Sequence, residues 1–125
     1  MKKNELQERL FRFAVDVLKM LRKIKGGNDL RIICFQLGKS STSSGANYEE
    51  AQAAVSRADF GYKVGTSLKE MRESDYWLRI LERLYPENDE ILRLKTESAE
   101  LKSILGSINL KVSPRLTQKT FSFLL

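Results

Sequence analysis

The chain has 125 residues, 42% of them apolar and 30% charged, with 22 Lys and Arg against 16 Asp and Glu and a formal charge of +6. That length holds one domain, burying about two thirds of the surface its unfolded form would expose, and the composition excludes a disordered chain. One cysteine and no histidine exclude an intramolecular disulfide, imidazole-based catalysis and imidazole metal ligation.

Leu6, Leu10, Phe13, Val17, Leu21 and Ile24 recur at three- and four-residue steps and predict a first helix over residues 5–25, stopped by Gly26 and Gly27. With Phe11, Ala14, Val15 and Leu18 added, the apolar residues cover about half its circumference, more than one neighbouring helix can bury. Arg9, Arg12, Lys19, Arg22 and Lys23 share its polar face with Glu5, Glu8 and Asp16. A solvated face is the ordinary reading. Repeated around an oligomer, the same cations become a candidate nucleic-acid contact through avidity.

Asn28 or Asp29 can cap a second helix whose buried stripe reads Leu30, Ile33, Cys34, Leu37, Ser41, Ser44, Tyr48, Ala51 and Val55. Its middle is the small-residue run from Ser40 to Gly45, poor in helix propensity, so packing must hold it and a second backbone can come close. A break near Gly45 is the alternative. Cys34 reads as a small buried hydrophobe. Gly38-Lys39-Ser40 resembles the end of a phosphate-binding loop, but that motif needs glycine five positions earlier and Ile33 stands there.

Ser56 is a cap for a third helix, with Asp59 three positions on in a capping-box arrangement. Phe60, Val64, Ser67, Met71, Ser74, Leu78, Leu81 and Tyr85 then give the core face, and Pro86 ends the element. Lys69, Arg72, Tyr76, Arg79 and Arg83 fall within about 80° of arc, a basic stripe with an aromatic inside it. Arginine forks match phosphate and tyrosine stacks on an unpaired base, so these five are candidate nucleic-acid-binding residues. Asp75 and Glu82 flank Arg79 at helical spacing, and local ion pairing is the competing reading. A separate stripe of Tyr62, Trp77, Ile80 and Leu84 points away from the core rhythm and is a candidate oligomer interface.

Asn88 caps a fourth helix that opens on Asp89 and Glu90, where the helix dipole favours negative charge, and buries Ile91, Leu94, Ser98, Leu101, Leu105 and Ile108. Four amphipathic helices joined by short turns predict an all-α, antiparallel, up-down-up-down four-helix bundle over residues 1–110, with a C-terminal tail over residues 111–125 that contains Phe121, Phe123, Leu124 and Leu125.

No constellation of catalytic residues stands out, so no enzyme, no cofactor and no metal is expected. The carboxylates clustered at Glu49 and Glu50, and at Glu70, Glu73 and Asp75, read as solvated or paired with neighbouring cations. No apolar run reaches the roughly 20 residues of a membrane span and no leader peptide is visible, which predicts a cytoplasmic protein without membrane contact. The positive charge gathers at the ends of the chain, with 8 basic and 3 acidic groups in residues 1–25.

The run Ser44-Gly45-Ala46-Asn47-Tyr48-Glu49-Glu50-Ala51 is followed by Ser56-Arg57-Ala58-Asp59-Phe60, Leu68-Lys69-Glu70 and Glu73-Ser74-Asp75-Tyr76-Trp77-Leu78. This order resembles the bacterial four helix bundle protein family, also named the 23S rRNA intervening-sequence protein family, over roughly residues 5–108. The resemblance implies an antiparallel bundle, association into five-fold rings and no catalytic residue. It extends distantly to the accessory variability determinant of diversity-generating retroelements, a basic ring that binds a reverse transcriptase and nucleic acid, through the segment Tyr76-Trp77-Leu78-Arg79.

Two functions are therefore expected. The first is a homopentameric bundle that binds RNA or other nucleic acid, including DNA, through its basic surface. The alternative is a structural scaffold or adaptor that recruits a protein partner without touching nucleic acid.

Overall fold

The periodic apolar stripes become four helices in the computed structural model, which describes residues 5–112: α1 (Glu5–Lys23), α2 (Asn28–Gln52), α3 (Arg57–Leu84) and α4 (Asp89–Val112). Each helix packs on its two neighbours around a square, and the backbones of the diagonal pairs α1/α3 and α2/α4 stay more than 8 Å apart. This is the antiparallel four-helix bundle that the short connections require. Seams α2/α3 and α3/α4 are the most extensive, and α1/α4 is the slightest. Phe13, Leu10, Leu37, Met71, Leu78, Leu81, Ile91, Leu94, Leu101 and Leu105 fill the centre, all nearly solvent-free.

The small-residue run of α2 stays helical through Gly45, and no break occurs there. Its hydroxyls explain why. Ser44 Oγ donates to the Ser67 carbonyl at 2.9 Å, Ser67 Oγ donates back to the Ser44 carbonyl at 2.7 Å, and Ser40 Oγ lies 2.8 Å from Ser74 Oγ. All four serines are buried. Hydroxyls reaching the facing backbone demand that α2 and α3 run close together, which a larger side chain at any of these positions would prevent. On its other side α2 presents Gly45 to α1, where an added Cβ would sit 3.5 Å from the Leu10 backbone.

Capping follows the local chemistry with one exception. Ser56 Oγ accepts the Asp59 N–H at 3.0 Å, while Asp59 Oδ2 accepts the Val55 N–H at 3.2 Å and pairs with Lys63 at 3.1 Å. The Lys63 hydrogen bond first, and the Val55 N–H second, hold the Asp59 carboxyl below its ordinary value. Asn88 Oδ1 likewise accepts the Ile91 N–H at 3.0 Å. At α2, however, neither Asn28 nor Asp29 caps: extended Gly27 occupies that position without a side-chain bond, and both polar residues already lie inside the first turn. There Asp29 acts on the helix dipole instead.

Several other expectations shift by a turn or less. Helix α1 ends at Lys23 rather than residue 25, and Met20 takes the core position that Leu21 was expected to share, because Met20 stands two full turns from Phe13. Cys34 and Ile33 are only half-buried. Val55 is 94% exposed because α2 has ended at Gln52, and the helical period cannot carry it to the core. Helix α4 continues to Val112, two residues beyond the predicted limit. The remainder of the predicted tail lies outside the described residues. Among those residues no helix is long and apolar enough to cross a membrane.

Candidate nucleic-acid interface

Helix α3 is fixed in rotation by its two neighbours. Ser67 and Ser74 face α2, whereas Asp75 and Gly65 face α4, through Ser98 and Lys102 and through Asn109. On the outer side toward α4 stand Lys69, Arg72, Tyr76, Arg79 and Arg83, all exposed. The structure therefore brings the five stripe residues onto one face. Lys69, Arg72 and Arg83 form no ion pair among the described residues, whereas Arg79 Nε lies 3.2 Å from Asp75 Oδ2. The ion-pairing expectation for Arg79 is met, and its side chain stays 56% exposed.

Asp75 is the anchor beneath the stripe. It is 4% exposed, yet Ser98 Oγ donates to Oδ1 at 3.0 Å and Lys102 Nζ lies 3.2 Å from Oδ2, opposite Arg79. A buried carboxylate persists where its oxygens are hydrogen-bonded and its charge is met, as here by one cation from each of two helices. Above it, the Arg79 guanidinium carbon sits 5.6 Å from the centroid of the Tyr76 ring, which meets Trp77 edge to face at 5.1 Å and 73°. Tyr76 is thus half exposed but held from both sides.

The cations expected on α1 divide. Arg9 is withdrawn from the candidate surface: its guanidinium forks onto Glu97 at 2.7 and 3.1 Å, reaches Glu100 at 3.2 Å and keeps its pKa raised chiefly through the Glu97 hydrogen bonds. With Arg93 bonded to Asp16 at 3.0 Å, it bolts the slight α1/α4 seam. Sequence spacing could not show this, since the partners lie on another helix. Arg12, Lys19, Arg22 and Lys23 remain exposed without ion pairs among the described residues.

The apolar stripe runs along the outermost face of α3 beside the basic one, with Leu84 and Trp77 set toward α2. Tyr62 is 75% and Leu84 50% exposed, and Ile80 is half-buried. Trp77 departs from the outward reading: it is partly buried against the core, and its indole N–H has no hydrogen-bond partner among the described residues. Sequence reasoning missed Ile32 and Phe35, 63% and 67% exposed on α2. Because Ser40 is level with Ser74 in antiparallel register, Ile32 comes level with the turn between Ile80 and Leu84. Two bulky apolar residues on the polar side of α2 were the available signal. Phe11 and Leu18 are the surplus of the broad α1 face, 56% and 40% exposed.

On the flank of α3 toward α2, burial and the charge of Glu73, together with a hydrogen bond between the two carboxyl groups, raise the Glu70 carboxyl above its ordinary 4.5, and Lys69 and Lys39 only partly offset this. The folded chain then holds this proton more readily than the unfolded one. The contribution to stability is therefore full at acid pH and is lost as pH rises from 4.5 through the higher folded value. Replacing Glu70 with Gln is expected to stabilise the bundle at pH 7 by about 0.3 kcal/mol, the size of a like-charge helical pair. Urea unfolding at pH 4 and pH 7 checks this, the gain being confined to the higher pH.

No group of three His, Cys, Asp or Glu able to hold a metal ion occurs among the described residues. A hollow lined by Gln7, Glu8, Phe11 and Glu49 carries carboxylates and no cation, and stands apart from the basic stripe.

A bundle of four antiparallel helices, with serines zipping α2 to α3 and a basic stripe outside them, is the class of protein that this geometry defines. The chain belongs to the 23S rRNA-intervening sequence protein family, whose sequence model matches residues 2–107. It is similar in structure to a protein of unknown function from the S23 ribosomal protein family of Bacteroides thetaiotaomicron, with 31% identity, a TM-score of 0.73, and coverage of 83% of this chain and 97% of that one. None of the curated proteins matches.

Proposed function

We propose that the chain is a non-enzymatic cytoplasmic bundle that assembles with copies of itself, as a homopentamer, and binds RNA or other nucleic acid through the basic face of α3. The observation that carries this reading is the exposure of Lys69, Arg72, Tyr76, Arg79 and Arg83 on one face, with three of the four cations free of ion pairs among the described residues. Free cations on one face neutralise phosphates and release counterions. Tyr62 and Ile80 adjoin that face, whereas Leu84 stands toward α2 and Ile32 and Phe35 lie on α2, so an assembly surface centred on α2 leaves the cations open.

Binding to a structured RNA across a salt series tests the reading. Replacing Arg72, Arg79 and Arg83 together with alanine is expected to reduce the slope of log affinity against log salt by about two to three and to leave the oligomer intact in light scattering. Absence of binding at low salt, or binding indifferent to salt, sinks it. A monomer at micromolar concentration refutes the assembly.

The exposed Ile32 and Phe35 favour the second reading, a scaffold that recruits a protein partner. A partner captured by the full chain, retained by the triple arginine variant and lost when Ile32 and Phe35 are replaced with serine, with the oligomer unchanged in light scattering, supports that reading.

A further inference from the structure

The cations of α3 do not stand alone. Lys102 reaches across the α3/α4 seam to Asp75, which also holds Arg79, and Lys95 stands two turns before Lys102 on the same side of α4. The seam is therefore edged by two basic rows, Lys69, Arg72, Arg79 and Arg83 on α3 and Lys95 and Lys102 on α4. Helices in contact run about 8–10 Å apart. Outside the α4 row Ala99, Ser103 and Gly106 are small, and Lys102 and Arg79 meet at one Asp75 oxygen, so the two rows form one continuous basic strip along the groove between the helices. The acidic groups of this seam are Asp75, already bonded to two of the cations, and Glu82.

We infer that this α3/α4 groove is a binding site for single-stranded nucleic acid, with the two basic rows on the backbone and Tyr76 stacked on an unpaired base. The inference rests on the nucleic-acid reading above and adds the strandedness of the ligand, the second helix and the role of the aromatic. Three features carry it. A duplex, which keeps its bases stacked inside, has no use for an exposed ring. Tyr76 stands midway along the α3 row, half exposed, with its ring fixed by Trp77 on one side and Arg79 on another, so stacking a base on it loses little side-chain freedom. From Lys69 to Arg83 the row extends about 21 Å at 1.5 Å per residue, the axial span of roughly six nucleotides.

A labelled RNA of about twelve nucleotides, alone and annealed to its complement, is titrated with the full chain by fluorescence anisotropy at several salt concentrations. The single strand is expected to bind at least about fivefold more tightly than the duplex at matched salt. Tyr76→Ala should weaken single-strand binding about tenfold with the salt slope unchanged, because a stacked base carries no charge, while Tyr76→Phe retains it. Lys95→Ala should lower the salt slope by about one. Light scattering of each variant guards against loss through disassembly. Equal or tighter binding of the duplex, or a Tyr76→Ala variant that binds the single strand as well as the original, overturns the inference and leaves the electrostatic reading standing. Failure of both RNA forms to bind at low salt overturns the two together.

Discussion

Ser44→Leu is expected to destabilise the bundle by about 3 kcal/mol, adding an overpacking cost of about 1–3 kcal/mol to the loss of a buried hydrogen bond of about 1 kcal/mol. Ser44 is fully buried and its hydroxyl reaches the Ser67 carbonyl at 2.9 Å, so the helix backbones are closer than any branched side chain permits. The new leucine must push α2 from α3 along one of the two largest seams of the fold, and the neighbouring Ser40 to Ser74 contact at 2.8 Å opens with it. Ser44→Ala separates the two contributions. It keeps the close approach and removes only the hydroxyl, so its expected cost is about 1 kcal/mol. Equilibrium urea unfolding reads both as shifts in midpoint at constant slope. A leucine variant as stable as the alanine variant would mean that the serines are not there to let the helices approach.

What was legible in the sequence is what depends on neighbours along one chain segment. The rhythm from Val64 to Leu81, the Ser56 cap and the Asn88 cap are set by residues three or four positions apart, and each lands where the spacing puts it. The family's run of small residues was readable as close packing for the same reason. What was not legible depends on how far each helix is rotated against two others. Arg9 shares a polar face with Arg12 and Lys19, yet only Arg9 lies over Glu97, because the α1/α4 register decides it. Trp77 looked outward from the core period and is drawn in on the α2 side. In the sequence Asp75 reads with Glu70 and Glu73 as solvated or paired with a neighbouring cation, and the Arg79 pair does form, but its burial follows from Ser98 and Lys102, 23 and 27 residues away.

The candidate surface follows the same division. That Lys69, Arg72, Tyr76, Arg79 and Arg83 share a face is helical arithmetic, but that this face looks toward α4, and gains Lys95 and Lys102 there, is a property of the assembled bundle. The apolar set begins beside it at Tyr62 and Ile80 and extends away from it, through Leu84 to Ile32 and Phe35 on α2. One helix thus carries both candidate surfaces, and a substitution on either is interpretable only when assembly and binding are measured together.

Asp75→Ala joins these surfaces to stability, with an expected loss of about 2 kcal/mol. Hydrogen bonds to a charged group contribute about 1.5–3 kcal/mol each, and two meet here, from Ser98 and Lys102, beside the Arg79 ion pair. They do not add to their sum, since the Arg79 and Lys102 side chains are 56% and 39% exposed and water takes them back when the carboxylate goes. Ser98 keeps a partner too, because its hydroxyl also bonds the Lys95 carbonyl at 2.8 Å. The stranded-charge penalty of a deeply buried pair is therefore absent, and the loss stays near the value of one charged hydrogen bond plus a small cavity. Asp75→Asn should recover part of it by keeping an acceptor for Ser98. The same alanine variant removes a negative charge from beneath the groove and releases two cations, so its affinity for single-stranded RNA is expected to rise a few-fold at low salt while its urea midpoint falls. Stability and affinity moving in opposite directions is an outcome that Asp75 acting as a purely structural strut would not produce.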